Sequence, residues 1–123
     1  MIAAEWAATN QLIELGGKAV EGMLVVQNFD QDDTSPRYIA FRDAYVKRFG
    51  KAPAFSSVLA HDAASALLEA LAQRDEGMTT KEALLKFGPY QGLQQQISFD
   101  ANGDSSRIAH FMIVRNGRFA ADR

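Results

Sequence analysis

The chain has 123 residues, 47% hydrophobic and 23% charged, with a formal net charge of -2, a balance that fits one soluble domain or less and excludes the disordered and membrane-spanning classes. Its 13 basic residues are scattered among 15 acidic ones, which leaves no basic stripe for nucleic acid. There is no cysteine, so disulfides, thiolate zinc sites and cysteine nucleophiles are excluded, and compartment stays open on that count.

No apolar run reaches the roughly 20 residues of a spanning helix, and Met1 to Glu5 lacks the basic start and apolar stretch of a secretory signal. The first predicted element is a short helix. Thr9 is placed to accept from the amides that follow it, Leu12, Ile13 and Leu15 give an apolar side, and Gly16-Gly17 allows a left-handed exit. After Gly22 the run Met23-Leu24-Val25-Val26 has the continuous apolar character of an interior strand covered on both faces. Asn28 to Ser35 is rich in Asp, Asn and Ser and reads as a connection. Ser35-Pro36 is an N-cap followed by a ring suited to the first helical position. The helix it opens carries Tyr38, Phe41, Tyr45 and Phe49 on one stripe and stops at Gly50.

A third helix is predicted from about Ser57 to Arg74, with Leu59, Ala63, Ala66, Leu67 and Ala70 on one side; so many alanines imply close approach to a neighbouring layer. Thr79 with Glu82 three positions on forms a capping box for a fourth helix that ends at Gly88-Pro89. In the tail, Ile97-Ser98-Phe99 and His110 to Val114 have strand composition and flank the turn-prone Asp100 to Asp104, which predicts a hairpin between them. Asn116-Gly117 predicts another tight turn, with Phe119 returning towards the sheet. One interior strand is too few for a doubly wound domain.

Motifs for chemistry are sparse. There is no Gly-rich phosphate loop and no Gly-x-Ser-x-Gly elbow, and His61 and His110 lie far apart without metal-ligand spacing. His61, beside Asp62 at the start of an Ala-rich helix, reads as a partly buried, locally bonded imidazole, with a pocket-lining role as the alternative. Asp100, Asn102 and Asp104 superficially match the start of a calcium loop. Gly103 is misplaced for one, however, and no closing glutamate follows, so a turn is expected. Asp30, Asp32 and Asp33 read as a solvated connection. No metal, cofactor or catalytic residue is predicted.

Several stretches together carry a family resemblance. Leu15-Gly16-Gly17-Lys18-Ala19-Val20-Glu21-Gly22 leads to a strand, Phe41 to Phe49 ends a helix before Gly50, and Ala60-His61-Asp62-Ala63 starts the next. Ile97-Ser98-Phe99-Asp100 with Asn102-Gly103-Asp104 completes the order. In sequence and spacing the chain resembles the last third of the leucine/isoleucine/valine-binding proteins, the type I periplasmic binding proteins, from Glu5 to Phe119. The resemblance implies an α/β fold, a fragment of a two-lobed receptor with about four helices, one interior strand and a C-terminal β-hairpin. Partner strands would lie upstream. It places residues up to about 26 and from about 95 to 123 in the second lobe and about 27–94 in the first, and implies uncovered apolar faces through which the fragment would self-associate.

As implied by the family, the chain would serve a substrate-binding component of an ABC importer, without catalysis, in the periplasm or another extracytoplasmic space. It would take a small-molecule solute such as a branched-chain amino acid, another amino acid, or a related acid or amide, and would dock on permease subunits. By spacing back from Gly22, Glu5 matches the acidic residue that holds a ligand ammonium, with Trp6 beside it as an aromatic wall. The alternative for this pair is an exposed residue and a packing anchor at a frayed terminus. His61 stands where the family often has an aromatic hydroxyl, which makes it a third ligand-binding candidate, and Gln94-Gln95-Gln96 departs from the family's Gly- and Pro-containing approach to the hairpin strand. Two other classes remain open: a sensory or regulatory domain of the same fold, and a stand-alone α/β interaction module. A hydrolytic enzyme ranks last.

Overall fold

A computed structural model describes residues 1–121, and contacts group the chain into two compact units. The first contains residues 1–55 and the segment from Ala109 on; the second is Ser56–Ile108.

The first unit is built on a four-stranded mixed sheet in the order β1-β2-β6-β7, where β1 is Ile2–Ala3, β2 is Leu24–Gln27, β6 is His110–Arg115 and β7 is Arg118–Ala121. β1 runs parallel to β2, pairing Ile2 with Leu24 and Ala3 with Val25. The connection between them is the helical segment that parallel pairing requires: a 3-10 turn at Glu5–Ala7, helix α1 at Asn10–Gly16 and a second 3-10 turn at Gly17–Val20. α1 starts as its sequence dictates, with Thr9 Oγ1 accepting from the Leu12 amide at 3.1 Å. β2 is interior, as expected, but its other neighbour is antiparallel: Val25 faces Met112 across β2 and β6. Val25, Met112 and Val114 are fully buried and, with Ala8, Met23 and Phe119, form this unit's core, against which Leu12 and Ile13 of α1 pack. β6 and β7 form a hairpin around Asn116-Gly117, whose φ values of 54° and 70° suit the tight two-residue turn.

Helix α2, Pro36–Phe49, ends as predicted: Gly50 adopts φ 72° and donates its amide to the Val46 carbonyl at 2.8 Å. Its start differs. Ser35 occupies the N-cap position but its side chain makes no capping bond; its amide is instead drawn to Asp33 Oδ1 at 2.7 Å, so Pro36 supplies the start without a hydroxyl cap. The aromatic stripe forms a ladder, with ring centroids 5.8 Å apart for Phe41 and Tyr45 and 4.5 Å for Tyr45 and Phe49. Of α2, only Tyr38 is buried, edge-on to Phe29 at 5.8 Å.

The second unit holds nearly all of α3 (Phe55–Ala72), α4 (Thr80–Phe87) and a three-stranded sheet of β3 (Tyr90–Gln91), β4 (Gln96–Phe99) and β5 (Ser105–Ser106). Ala66 and Ala70 of α3, Ala83 of α4 and Tyr90 make its core; of the apolar side expected for α3, Ala66 and Ala70 are buried whereas Ala63 and Leu67 are exposed, and Val58 and Asp62 are buried instead. The capping box of α4 is complete, with Glu82 N donating to Thr79 Oγ1 at 3.2 Å and Thr79 N donating to Glu82 Oε2 at 2.7 Å. Tyr90 is inserted under α4 and donates its hydroxyl to the Leu84 carbonyl at 2.9 Å. Burial first, and then Glu69, push this phenol above its ordinary range.

One sequence expectation about strand partners is corrected. Ile97 to Phe99 does not pair with His110 to Val114: β4 pairs with β3 and β5, whereas β6 pairs with β2 and β7. The turn at Asp100–Asp104 is real. Asp100 Oδ1 accepts from Asn102 N at 2.9 Å and Asp104 N at 3.0 Å, and Gly103 takes φ 94°. This local folding closes β4 onto Ser105–Ser106 at once, and β6 is left to match its buried Met112 and Val114 to the core around β2. Among the described residues no helix is long and apolar enough to cross a membrane.

Candidate functional site

Glu5 sits in the 3-10 turn that follows β1, half-buried. Its carboxylate crosses to the far end of β2, where Oε1 accepts the Asn28 backbone amide at 2.9 Å and Oε2 accepts the Asn28 carboxamide Nδ2 at 3.3 Å. Asn28 is the first residue after β2, so the carboxylate links the beginning of the parallel connection to the point where the chain leaves the sheet. Two donors occupy about half of the acceptor capacity of a carboxylate, which has roughly four lone-pair positions; the rest is open to a further donor. Trp6, the next residue, is 78% exposed. It forms no part of this unit's core.

Beside this turn the first unit has a cleft of ≈ 330 Å³ lined by Gln27, Phe29, Asp32, Tyr38, Arg42 and Arg118, among others. Its floor follows from strand alternation: Gln27 lies on the same face of β2 as Val25 and is buried with it. Tyr38 is buried here too, and burial is the main cause that raises its phenol above the ordinary value; Arg42 opposes the shift, and Asp33, Asp30 and Asp32 reinforce it. At the rim, Arg118 approaches Asp32 at 3.5 Å, and the Gln31 amide donates to the Phe119 carbonyl. The acidic run serves the loop itself, since Asp30 Oδ1 accepts from Asp32 N at 2.9 Å and Asp33 Oδ1 from Ser35 N at 2.7 Å.

His61 belongs to the second unit, near the start of α3, with its side chain 37% exposed and Nδ1 3.7 Å from Asp62 Oδ1. Its neighbour Asp62 is the residue that sequence reasoning passed over. Asp62 is only 2% exposed; Oδ1 accepts the Leu93 amide at 2.9 Å, and Oδ2 lies 3.4 Å from Nη1 of the mostly buried Arg107. Gly92 makes room for it, because a Cβ there would stand 2.6 Å from the Gln95 carbonyl oxygen and 2.7 Å from Asp62 Oδ2. An aspartate inside an otherwise apolar, Ala-rich helix is the signal that could have found it: a charge in that setting has to be paired.

Among the described residues no group of three or more histidines, cysteines, aspartates or glutamates converges as a metal site.

Comparison with known proteins comes out consistently. A family profile described as periplasmic binding protein matches residues 1–118. Among solved structures, the chain is similar to the leucine-binding protein LivK of Thermotoga maritima, with TM-score 0.83 and 29% identity over 99% of this chain and 36% of that one. An ABC transporter substrate-binding protein of Desulfitobacterium hafniense in complex with Leu matches with TM-score 0.79 and 25% identity, over 98% of this chain and 34% of that one. The branched-chain amino acid transporter substrate-binding protein LivJ of Streptococcus pneumoniae, in complex with isoleucine, shares the fold at TM-score 0.83 and 22% identity, over 98% of this chain and 35% of that one. The chain thus spans about a third of the length of these structures. No curated protein matches it.

Proposed function

The chain belongs to the periplasmic binding protein family, and from that premise we propose that it supplies the C-terminal part of the substrate-binding component of an ABC importer, a receptor that captures a small amino acid or a related acid or amide and catalyses nothing. The observation that carries the amino-acid reading is the Glu5 carboxylate, half-buried, fixed by Asn28 and still able to accept. A carboxylate partly shielded from water holds an ammonium by charge-assisted hydrogen bonds and discriminates against molecules that lack one. Trp6, exposed beside it, offers an aromatic face to the cation or to an apolar side chain, and His61, standing where the family often has an aromatic hydroxyl, is the third ligand-binding candidate. The relatives support the solute class: one is a leucine-binding protein and another holds Leu.

In the whole receptor, two hinged lobes close on the solute and the closed shape is what permease subunits recognise, so binding is read as a population shift. Residues up to about 26 and from about 95 on belong to the second lobe and about 27–94 to the first; lobes are defined by the whole receptor, the compact units above by contacts within this chain. The location is periplasmic or otherwise extracytoplasmic. By itself the chain self-associates through exposed apolar side chains such as Leu68 of α3 and Phe111 of β6.

Calorimetry on the whole receptor tests the reading. Leucine or another small amino acid binds, and the deaminated acid of the same carbon skeleton binds at least about tenfold more weakly. Equal affinity for the two ligands, or no amino acid bound at all, overturns the amino-acid assignment.

A further inference from the structure

The two bonds that Glu5 accepts come from one residue, and that residue stands 23 positions away at the end of a different strand. A 3-10 turn of three residues has no internal means of fixing a long, flexible glutamate side chain: Glu5 has three χ angles to restrain, and its exposed neighbour Trp6 provides no wall for them. The restraint comes from Asn28. Its backbone N–H and its carboxamide N–H point in the same direction and grip one oxygen each, the arrangement that fixes the plane of a carboxylate as well as its position. Asn28 is held in turn. Gln27 before it is buried on β2, and Phe29 after it is buried against Tyr38.

We propose that Asn28 is the positioning residue of the ammonium site: it orients the Glu5 carboxylate so that the two acceptor positions it does not use converge on the ligand's ammonium group. This rests on the assignment of Glu5 as ammonium acceptor. Asn28 itself need not touch the ligand. Its effect falls on ligands that carry an ammonium and spares those that do not, because only the former use the oriented carboxylate. A residue that merely held the turn in place would affect both kinds of ligand together.

The experiment compares leucine with the deaminated acid of the same skeleton, by calorimetry on the whole receptor, for the unaltered protein and for Glu5→Gln, Asn28→Ala and Asn28→Leu. The leucine variant keeps side-chain bulk while removing the donor. Both Asn28 variants lose about tenfold in leucine affinity with little change for the deaminated acid, so the preference between the two ligands shrinks. If Glu5→Gln abolishes the preference and the Asn28 variants keep it, Glu5 is the acceptor and the positioning role is wrong. If Glu5→Gln keeps it too, the ammonium site itself is elsewhere. Equal losses for both ligands in the Asn28 variants also overturn the proposal, since they mark a general structural role. A crystal structure of the unaltered receptor with leucine needs no variant: both Asn28–Glu5 hydrogen bonds persist beside the bound ammonium, and an Asn28 turned away from Glu5 contradicts the proposal.

Discussion

Two carboxylates in this chain do the same thing with opposite consequences. Glu5 in the first unit and Asp62 in the second each accept a backbone amide from a residue far along the chain, Asn28 and Leu93. Asp62 is then closed off by Arg107 and by the contact with Gly92, and is 2% exposed. Glu5 has no cationic partner among the described residues and keeps one side open. The lesson is that a long-range backbone bond alone does not separate a structural carboxylate from a binding one. What separates them is whether acceptor capacity is left over and whether the surroundings leave it reachable.

That contrast is easiest to break in the second unit. Asp62→Ala leaves the Leu93 amide and the Arg107 guanidinium without their buried partner and lowers stability by about 3 kcal/mol, measured by urea unfolding; a loss below about 1 kcal/mol would mean that Asp62 is dispensable and the comparison is false. Gly92→Ala acts on the same contact from the other side. Its Cβ meets the Gln95 carbonyl and Asp62, and the loop has to shift at a cost of about 2 kcal/mol, visible as a lowered melting temperature.

A third variant provides a scale from an exposed site. Thr79→Ala removes the capping box of α4 and costs about 1 kcal/mol. The Thr79 backbone and side-chain bonds hold the Glu82 carboxyl below its ordinary value. A group depressed in the folded state stabilises it above the unfolded pKa, and that contribution is lost as pH falls through the folded value. In Thr79→Ala the backbone amide of residue 79 still donates to Glu82 and only the hydroxyl bond is lost, so the Glu82 carboxyl titrates at higher pH than in the unaltered protein and this acid-side dependence shrinks without vanishing, which a carboxyl NMR titration reads directly. Smallest of all is the stability effect of Glu5→Gln, within about 0.5 kcal/mol, because the amide oxygen still accepts one of the two Asn28 donors and the other turns to water in a half-exposed setting. A loss as large as that of Asp62→Ala would turn Glu5 into a second structural carboxylate.

Much of the fold was legible because it is written locally. Thr9, the Thr79–Glu82 pair, Gly50 and Asn116-Gly117 each act within four residues, and each does in the structure what its chemistry dictates. Partner choice is not local. The composition of Ile97–Phe99 and His110–Val114 identifies strands, yet nothing in it says that β6 prefers Val25 across the sheet to the nearer β4. Ser35 shows competition at short range, where Asp33 takes the amide and the hydroxyl does no capping. For the site, the family resemblance singled out Glu5, Trp6 and His61 by position, whereas Asn28 and Asp62 emerged only in three dimensions. Their partners lie 23 and 31 residues away, and a distance of that kind leaves no periodic trace.

The central claim is that Glu5 accepts the ligand's ammonium. Titrating leucine into the whole receptor carrying Glu5→Gln, at neutral pH, tests it most directly: the account predicts an affinity at least about tenfold below that of the unaltered protein, and an unchanged affinity would contradict it.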